Sequence, residues 1–225
     1  MIKTVFFDFD GTLADTAQDL VGAANQQRIR AGLAALPFEN LRTFSSQGAP
    51  GLLKAALNLE TSDPAYESTR AQFLEDYYAH MTDKTVLFEG IETLLDTLDA
   101  QGYQWGIVTN KAENLSFPLF KHYGLYERSV ANICGDTAAR PKPFPDPLLL
   151  AAQRANVLPE HCIYIGDDER DIIAGKAAGM KTIAIAYGYW PDPTSIPSWD
   201  ADMIVDTPHA LLSAILALSK ESSDE

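Results

Sequence analysis

Two textures of apolar and polar positions alternate along the chain. Residues 4–9 are rich in β-branched and aromatic side chains, and the pattern predicts a short buried strand that Gly11 brings to an end. Side chains two apart on a strand share a face, so Asp8 and Asp10 leave its C-terminal end on one side. Over 15–31 the period changes. Ala17, Leu20, Val21, Ala24 and Ile29 recur at helical spacing, with Asp15 or Thr16 as N-cap. Further helices are expected near 39–44, 50–57 and 64–81, the last carrying Tyr66, Phe73, Tyr77 and Tyr78, and no strand of comparable strength lies between about 15 and 84.

From Val86 onward strands and helices alternate. The pattern predicts helices over 91–100, 115–123, 147–155, 171–178 and 209–218, and strands over 104–108, 130–134, 162–165, 182–186 and 203–205. Strands separated by helices of this length imply an α/β fold, a doubly wound parallel sheet with right-handed crossovers. The helical stretch 15–83 is then an inserted, all-helical cap domain, and residues 1–14 with 84–225 form the core. The polar, acidic stretch 220–225 reads as a frayed tail.

Composition changes this picture little. The 225 residues suffice for one large domain or a domain with a smaller insertion, and no apolar run is long enough to cross a bilayer. The N-terminus enters a strand at once and carries no export leader, so a cytoplasmic protein with no membrane partner is expected. The formal charge of −14 argues against nucleic acid, whose phosphates call for a patch of Lys and Arg. Cys134 and Cys162 lie near expected strands and read as small buried residues of a reducing compartment; no zinc-ligand spacing surrounds them.

Ligands of an open parallel sheet bind beyond the carboxyl ends of its strands, so the residues delivered there carry the candidate chemistry. The first strand delivers Asp8 and Asp10, two acids whose crowding invites a hard cation such as Mg²⁺. The second ends in Thr109 and Asn110, which suit phosphate oxygens and, taken alone, equally suit a helix cap. Lys142 stands between Pro141 and Pro143, which restrict how it is presented. A further strand ends in Gly166-Asp167-Asp168-Glu169-Arg170-Asp171, more acids than a helix cap requires. Together these groups make one composite site: acids to hold a divalent cation, an acid to attack, and a cation with polar donors to grip phosphoryl oxygens.

The stretch Phe7-Asp8-Phe9-Asp10-Gly11-Thr12-Leu13-Ala14-Asp15-Thr16 resembles the first motif of the haloacid dehalogenase-like hydrolases. The groups at Thr109, Lys142 and Asp167 match the remaining three motifs in order, so the likeness covers essentially the whole chain. The resemblance implies a Rossmann-like core and Mg²⁺-dependent hydrolysis of a small phosphate monoester through an aspartyl-phosphate. By the same likeness Asp8 is the nucleophile and Asp10 the general acid/base. Gly11, Thr109, Asn110 and Lys142 hold the phosphoryl group. Asp8, Asp167 and the main-chain carbonyl of Asp10 ligate the metal. Asp171 supports the metal through water or through Lys142; Asp168 either adds to the metal shell or caps a helix.

The inserted helices resemble the small cap of the phosphoglycolate phosphatase group, and the segment carrying Arg42, Gln47 and Gly48 is similar to one of theirs in which an Arg could meet a substrate carboxylate. 2-Phosphoglycolate is accordingly the first substrate expected. Leu87-Phe88-Glu89-Gly90, the Trp105–Lys111 run and Tyr187-Gly188-Tyr189-Trp190 also resemble the N-acetylmuramic acid 6-phosphate phosphatases, which keeps that or another sugar phosphate as the alternative. The Tyr187–Trp190 turn either lines the entrance or packs. Asp10-Gly11-Thr12 belongs to the phosphatase rather than the dehalogenase pattern, and a β-phosphoglucomutase-like mutase would need a bisphosphate activator. The implied partner is a small phosphorylated metabolite, and the chain is expected to be a monomer or homodimer.

Overall fold

Alternate residues of the first strand face different cores. In β1 (Thr4–Phe7) the side chains of Val5 and Phe7 join the larger apolar cluster, whereas Phe6 joins a second one on the opposite face of the sheet. The same period-2 division holds farther along, with Ile163 and Ile165 on one side and Cys162 and Tyr164 on the other. A strand buried on both faces reads as a continuous apolar run, which is why these segments stand out in the sequence. The computed structural model describes residues 2–221.

After β1 come β2 (Ala14–Asp15) and four helices, α1 (Ala17–Arg30), α2 (Glu39–Arg42), α3 (Gly48–Leu57) and α4 (Tyr66–His80), with a 3₁₀ turn at Ser45–Gln47 before α3. The chain then runs through β3 (Val86–Leu87), α5 (Ile91–Ala100), β4 (Gln104–Val108), α6 (Glu113–His122), β5 (Asn132–Ile133) and α7 (Asp146–Arg154). It closes with β6 (Cys162–Gly166), α8 (Glu169–Ala177), β7 (Lys181–Ile185), β8 (Met203–Val205) and α9 (Leu211–Glu221).

The main sheet has six parallel strands in the order β5-β4-β1-β6-β7-β8. The chain moves outward on one side of β1 through β4 and β5, then returns to the other side at β6. The direction of winding therefore reverses around β1, and such a reversal opens a crevice at the carboxyl ends of the strands. β2 and β3 form a separate antiparallel pair, with Asp15 opposite Val86. The four helices between them pack mainly on one another, α1 against α3 and α4, and bury Leu20, Leu41, Leu52, Leu53, Phe73 and Tyr77. On α4, Tyr66, Phe73 and Tyr77 turn inward at helical spacing and Tyr78 turns out.

Several boundaries differ from the sequence reading. The first strand stops at Phe7, because Phe9 to Ala14 folds into a tight loop in which the N–H groups of Leu13 and Ala14 both donate to the Phe9 carbonyl. Asp15, one of the two N-caps expected for the first helix, pairs in β2 instead and leaves Thr16 at the cap, so the insertion is bordered by a strand pair rather than being helical to its ends. The strand expected over 130–134 is only Asn132–Ile133. The acidic tail falls partly within α9, and residues 222–225 lie outside those described. Cys134 and Cys162 are buried and unpaired, and burial pushes both thiols up to about 12. Among the described residues no helix is long and apolar enough to cross a membrane.

Candidate active site

The loop after β1 is shaped for close approach. Asp8 extends the ladder by one bond, its N–H donating to the Ile165 carbonyl at 2.8 Å, and Gly11 then turns with φ of +80°. A Cβ on Gly11 would sit 2.3 Å from Asp167 Oδ2, and one on Gly188 would sit 2.3 Å from Asp167 Cβ. Only bare backbone fits on either side of that acid. The strand ends thus bring Asp8 from β1 and Asp167 from β6 together with Asp171 of α8, each offering an oxygen within 4.8 Å of the others.

Lys142 is the counter-charge. Its Nζ lies 2.9 Å from Asp8 Oδ1 and 2.7 Å from Asp171 Oδ1, and it donates to the Tyr164 hydroxyl at 2.8 Å. The lysine is placed by Asn110, whose side-chain oxygen accepts the Lys142 N–H at 2.9 Å while its amide donates back to the Lys142 carbonyl at 2.9 Å. Both ends of the Asn110 side chain are therefore engaged with Lys142, with the second amide proton still to be donated at the cavity it lines. Thr109 is buried at the end of β4 with its oxygen accepting the Lys111 N–H at 3.2 Å, which leaves its hydroxyl proton to be donated.

Charge is not balanced within this group. Burial lifts the Asp8 carboxyl to about 7, with Asp171 and Asp10 adding to the rise and Lys142 opposing it. Burial, then Asp8 and Asp171, raise Asp167 well above the usual carboxylate range. Lys142 stays above its ordinary value because Asp171 and Asp8 outweigh the opposing effect of burial. Asp167 Oδ2 accepts from the Tyr189 N–H at 2.9 Å and the Ser46 hydroxyl at 3.3 Å, but Oδ1 is buried with no hydrogen-bond partner among the described residues. Three clustered acids, one ammonium and an orphaned carboxylate oxygen fit a divalent cation with oxygen ligands. Asp171 is the least free of the three, since its other oxygen accepts the Asp168 N–H at 3.1 Å. That arrangement favours its reading as the support of Lys142.

Asp168 takes the capping alternative. It starts α8 in a capping box with Asp171, and its side chain also holds Arg170, with Oδ1 2.7 Å from Nε. The hydrogen bonds from Arg170 hold its carboxyl below the usual range even though burial pushes the other way.

Asp10 is gripped by two groups. Thr16 Oγ1 donates to its Oδ1 at 2.5 Å and Lys111 Nζ lies 2.7 Å from the same oxygen. Lys111, which sequence reasoning missed as a site residue, also sits 4.7 Å from the centre of the Tyr77 ring on α4. Its only sequence signal was position, directly after Thr109 and Asn110 at the same strand end. Ser46 and Arg170 were missed too, because each acts across the gap between the helical insertion and the sheet: Arg170 donates to the Ser46 carbonyl at 2.8 Å.

Asp8, Asp10, Thr109, Lys111, Lys142 and Asp167 border one cavity of about 550 Å³, whose far wall is built by the insertion, including Gln47, Gly48, Phe73 and Tyr77. Arg42 is not on that wall. Its guanidinium donates to the Gly188 carbonyl at 3.1 Å and lies over the Tyr189 ring, which corrects its assignment as a carboxylate receptor. The Tyr187–Trp190 turn packs rather than lining the entrance: Tyr189 is fully buried, and its hydroxyl accepts from the N–H groups of Thr16 and Ala17 and donates to Asp15.

Comparison with known proteins gives this arrangement its lineage. The chain is 38% identical over 214 residues to an N-acetylmuramic acid 6-phosphate phosphatase of Pseudomonas aeruginosa, covering 95% of each chain. It is 40% identical over 210 residues to a phosphoglycolate phosphatase of Xanthomonas campestris pv. campestris, covering 93% of this chain and 94% of that one. Its fold matches the crystal structure of a predicted phosphoglycolate phosphatase from Haemophilus somnus with a TM-score of 0.84 at 24% identity, covering 95% and 97% of the two chains. Residues 5–185 match the family model for haloacid dehalogenase-like hydrolases, and the chain belongs to that family.

Proposed function

We propose that this chain is a magnesium-dependent phosphatase that hydrolyses a small phosphate monoester, with 2-phosphoglycolate as the first substrate. The observation that carries the proposal is the convergence of Asp8, Asp167 and Lys142 at one end of the sheet, beneath a cavity roofed by the helical insertion. Magnesium held by Asp8, Asp167 and the main-chain carbonyl of Asp10 would supply positive charge between the attacking carboxylate and the phosphoryl oxygens.

The remaining work falls to the chain's own residues. A carboxylate oxygen of Asp8 attacks phosphorus and forms an aspartyl-phosphate, which divides the hydrolysis into two easier displacements. Asp10 gives its proton to the departing alkoxide, then takes one from the water that cleaves the intermediate, a role worth typically ~10²–10⁴-fold. Thr109 donates its hydroxyl proton to a phosphoryl oxygen, and Lys142 offsets the charge on Asp8 and on the group being transferred. Residues 15–83 act as a cap that keeps bulk water from the intermediate and reads the leaving group.

Release of inorganic phosphate tests this directly. Wild-type protein with magnesium is expected to hydrolyse small monoesters; chelation or Asp8→Asn should abolish turnover, and unchanged turnover in Asp8→Asn would defeat the proposal. N-Acetylmuramic acid 6-phosphate is the second reading, favoured by a cavity of about 550 Å³, which exceeds what a two-carbon acid fills. A side-by-side screen of both esters decides between them.

A further inference from the structure

Among the described residues four cations line the cavity, and their side chains run from 3% exposed at Lys142 to 44% at Arg70. Lys142 is held between Asp8 and Asp171 on the phosphoryl side, and Arg170 is clamped to Asp168. Arg70 is seven residues before Tyr77 on α4, about 10 Å along the helix axis, and its Cα–Cβ bond tilts farther toward the helix N-terminus. Lys111 alone among them touches Asp10. Its Nζ is 2.7 Å from Asp10 Oδ1, and the Tyr77 ring lies on its other side. The Lys111 side chain is 8% exposed, yet it borders the cavity. An enclosed ammonium therefore stands between the acid that serves the leaving oxygen and the helical wall that faces the leaving group.

That position fixes what Lys111 can reach. Asp10 Oδ1 already accepts from Thr16 and Lys111, so its other oxygen must come within about 2.6–3.2 Å of the ester oxygen to transfer a proton, and Lys111 lies no farther from that atom than two hydrogen bonds and the width of the Asp10 carboxylate. A carboxylate joined to the ester oxygen through one carbon falls inside that span. A carboxylate across a sugar ring does not, and belongs nearer the depth of Arg70. We propose that Lys111 is a specificity-determining residue that receives a leaving-group carboxylate one carbon from the ester oxygen, so that the site prefers phosphate esters of 2-hydroxy acids to their uncharged counterparts. This rests on the phosphatase reading of the site and assigns the substrate class within it. The carboxylate would share the ammonium with Asp10, a strong donor having three protons to place.

The test compares 2-phosphoglycolate with 2-hydroxyethyl phosphate, equal in length but lacking the second charge, in the magnesium-loaded full chain. Wild type is expected to favour the acid by about tenfold to hundredfold in kcat/KM, the range of one charge-assisted hydrogen bond. Lys111→Met and Lys111→Gln should slow both esters through the loosened Asp10 and in addition raise KM for the acid alone, bringing that ratio close to unity, and Lys111→Arg should restore most of it. Equal losses on both esters in the neutral variants would overturn the proposal, as would a ratio that survives them and collapses in Arg70→Gln. A wild type that hydrolyses monoesters without preferring the acid also overturns it while leaving the phosphatase reading intact. A wild type that releases phosphate from no monoester defeats the phosphatase reading itself.

Discussion

The ammonium of Lys142 stands 2.7 Å from Asp171 Oδ1 and 2.9 Å from Asp8 Oδ1, so a single buried cation joins the acid assigned to attack with one that only holds it in place. Removing one member of a buried pair leaves the other uncompensated, at a cost of about 3–5 kcal/mol. Asp171→Ala should lower stability to urea by less than that, since Lys142 keeps Asp8 at 2.9 Å and the repulsion between Asp171 and the other acids is relieved, and should reduce kcat because Lys142 loses one of its two carboxylate anchors. Asp171→Asn should cost less, because an amide oxygen can still accept the Asp168 N–H. In the double variant Lys142→Met/Asp171→Ala the stability losses should fall short of their sum.

Gly11 bears on the proposed metal site through Asp167. Gly11→Ala places a methyl group against Asp167 Oδ2 at a backbone angle that L-residues disfavour, φ +80°. Magnesium affinity in an activity titration is expected to fall about 10–100-fold, the usual effect of disturbing the surroundings of a ligand. Full activity at ordinary magnesium concentrations would contradict the assignment of Asp167 as a ligand.

Asp168 separates capping from ligation. Asp168→Ala should cost about 0.5–2 kcal/mol of stability through the lost helix cap, with magnesium affinity changed by less than about threefold. A loss of affinity as large as that in Asp167→Ala would place Asp168 among the ligands.

Magnesium and protons should compete. The native metal-free protein holds a proton on Asp8 up to about pH 7, whereas an unfolded carboxyl releases it near 3.8. Between those values the native state binds more protons, so this group's contribution to stability declines as pH rises, and magnesium, which needs the ionised acid, opposes that decline. The rise in Tm on adding magnesium should be small near pH 5 and larger near pH 8, and binding near pH 6 should release protons to the buffer. A pH-independent rise would refute this account.

Tyr189 anchors the insertion's first helix from the core. Its hydroxyl accepts two N–H groups and donates to Asp15, so Tyr189→Phe leaves the buried Thr16 N–H without its acceptor, while the Ala17 N–H keeps Asp15 Oδ1 at 3.2 Å. About 1–3 kcal/mol of stability should be lost, with faster amide exchange at the start of α1 as the local signature.

What the sequence displays and what it hides have physical reasons. Strands buried on both faces are legible as apolar runs, and acids placed immediately after them stand out, so Asp8, Asp10 and Asp167 could be grouped before any coordinates. Lys142 was legible because two prolines isolate it. Lys111, Ser46, Arg170 and Tyr189 carry no such mark, since their meaning lies in contacts between segments more than a hundred residues apart, as with Ser46 and Asp167. Arg42 shows the converse: a side chain that suits an acid in sequence is engaged by a backbone carbonyl once the chain is folded.

The paired strands β2 and β3 place Asp15 directly opposite Val86, so the chain departs for its four helices and comes back through adjoining doorways. The core's hydrogen-bonded sheet therefore contains no residue between those two points. Evolution, or an engineer, could exchange most of that seventy-residue excursion as a cassette, provided the contacts of Thr16 with Asp10 and of Ser46 with Asp167 are carried over.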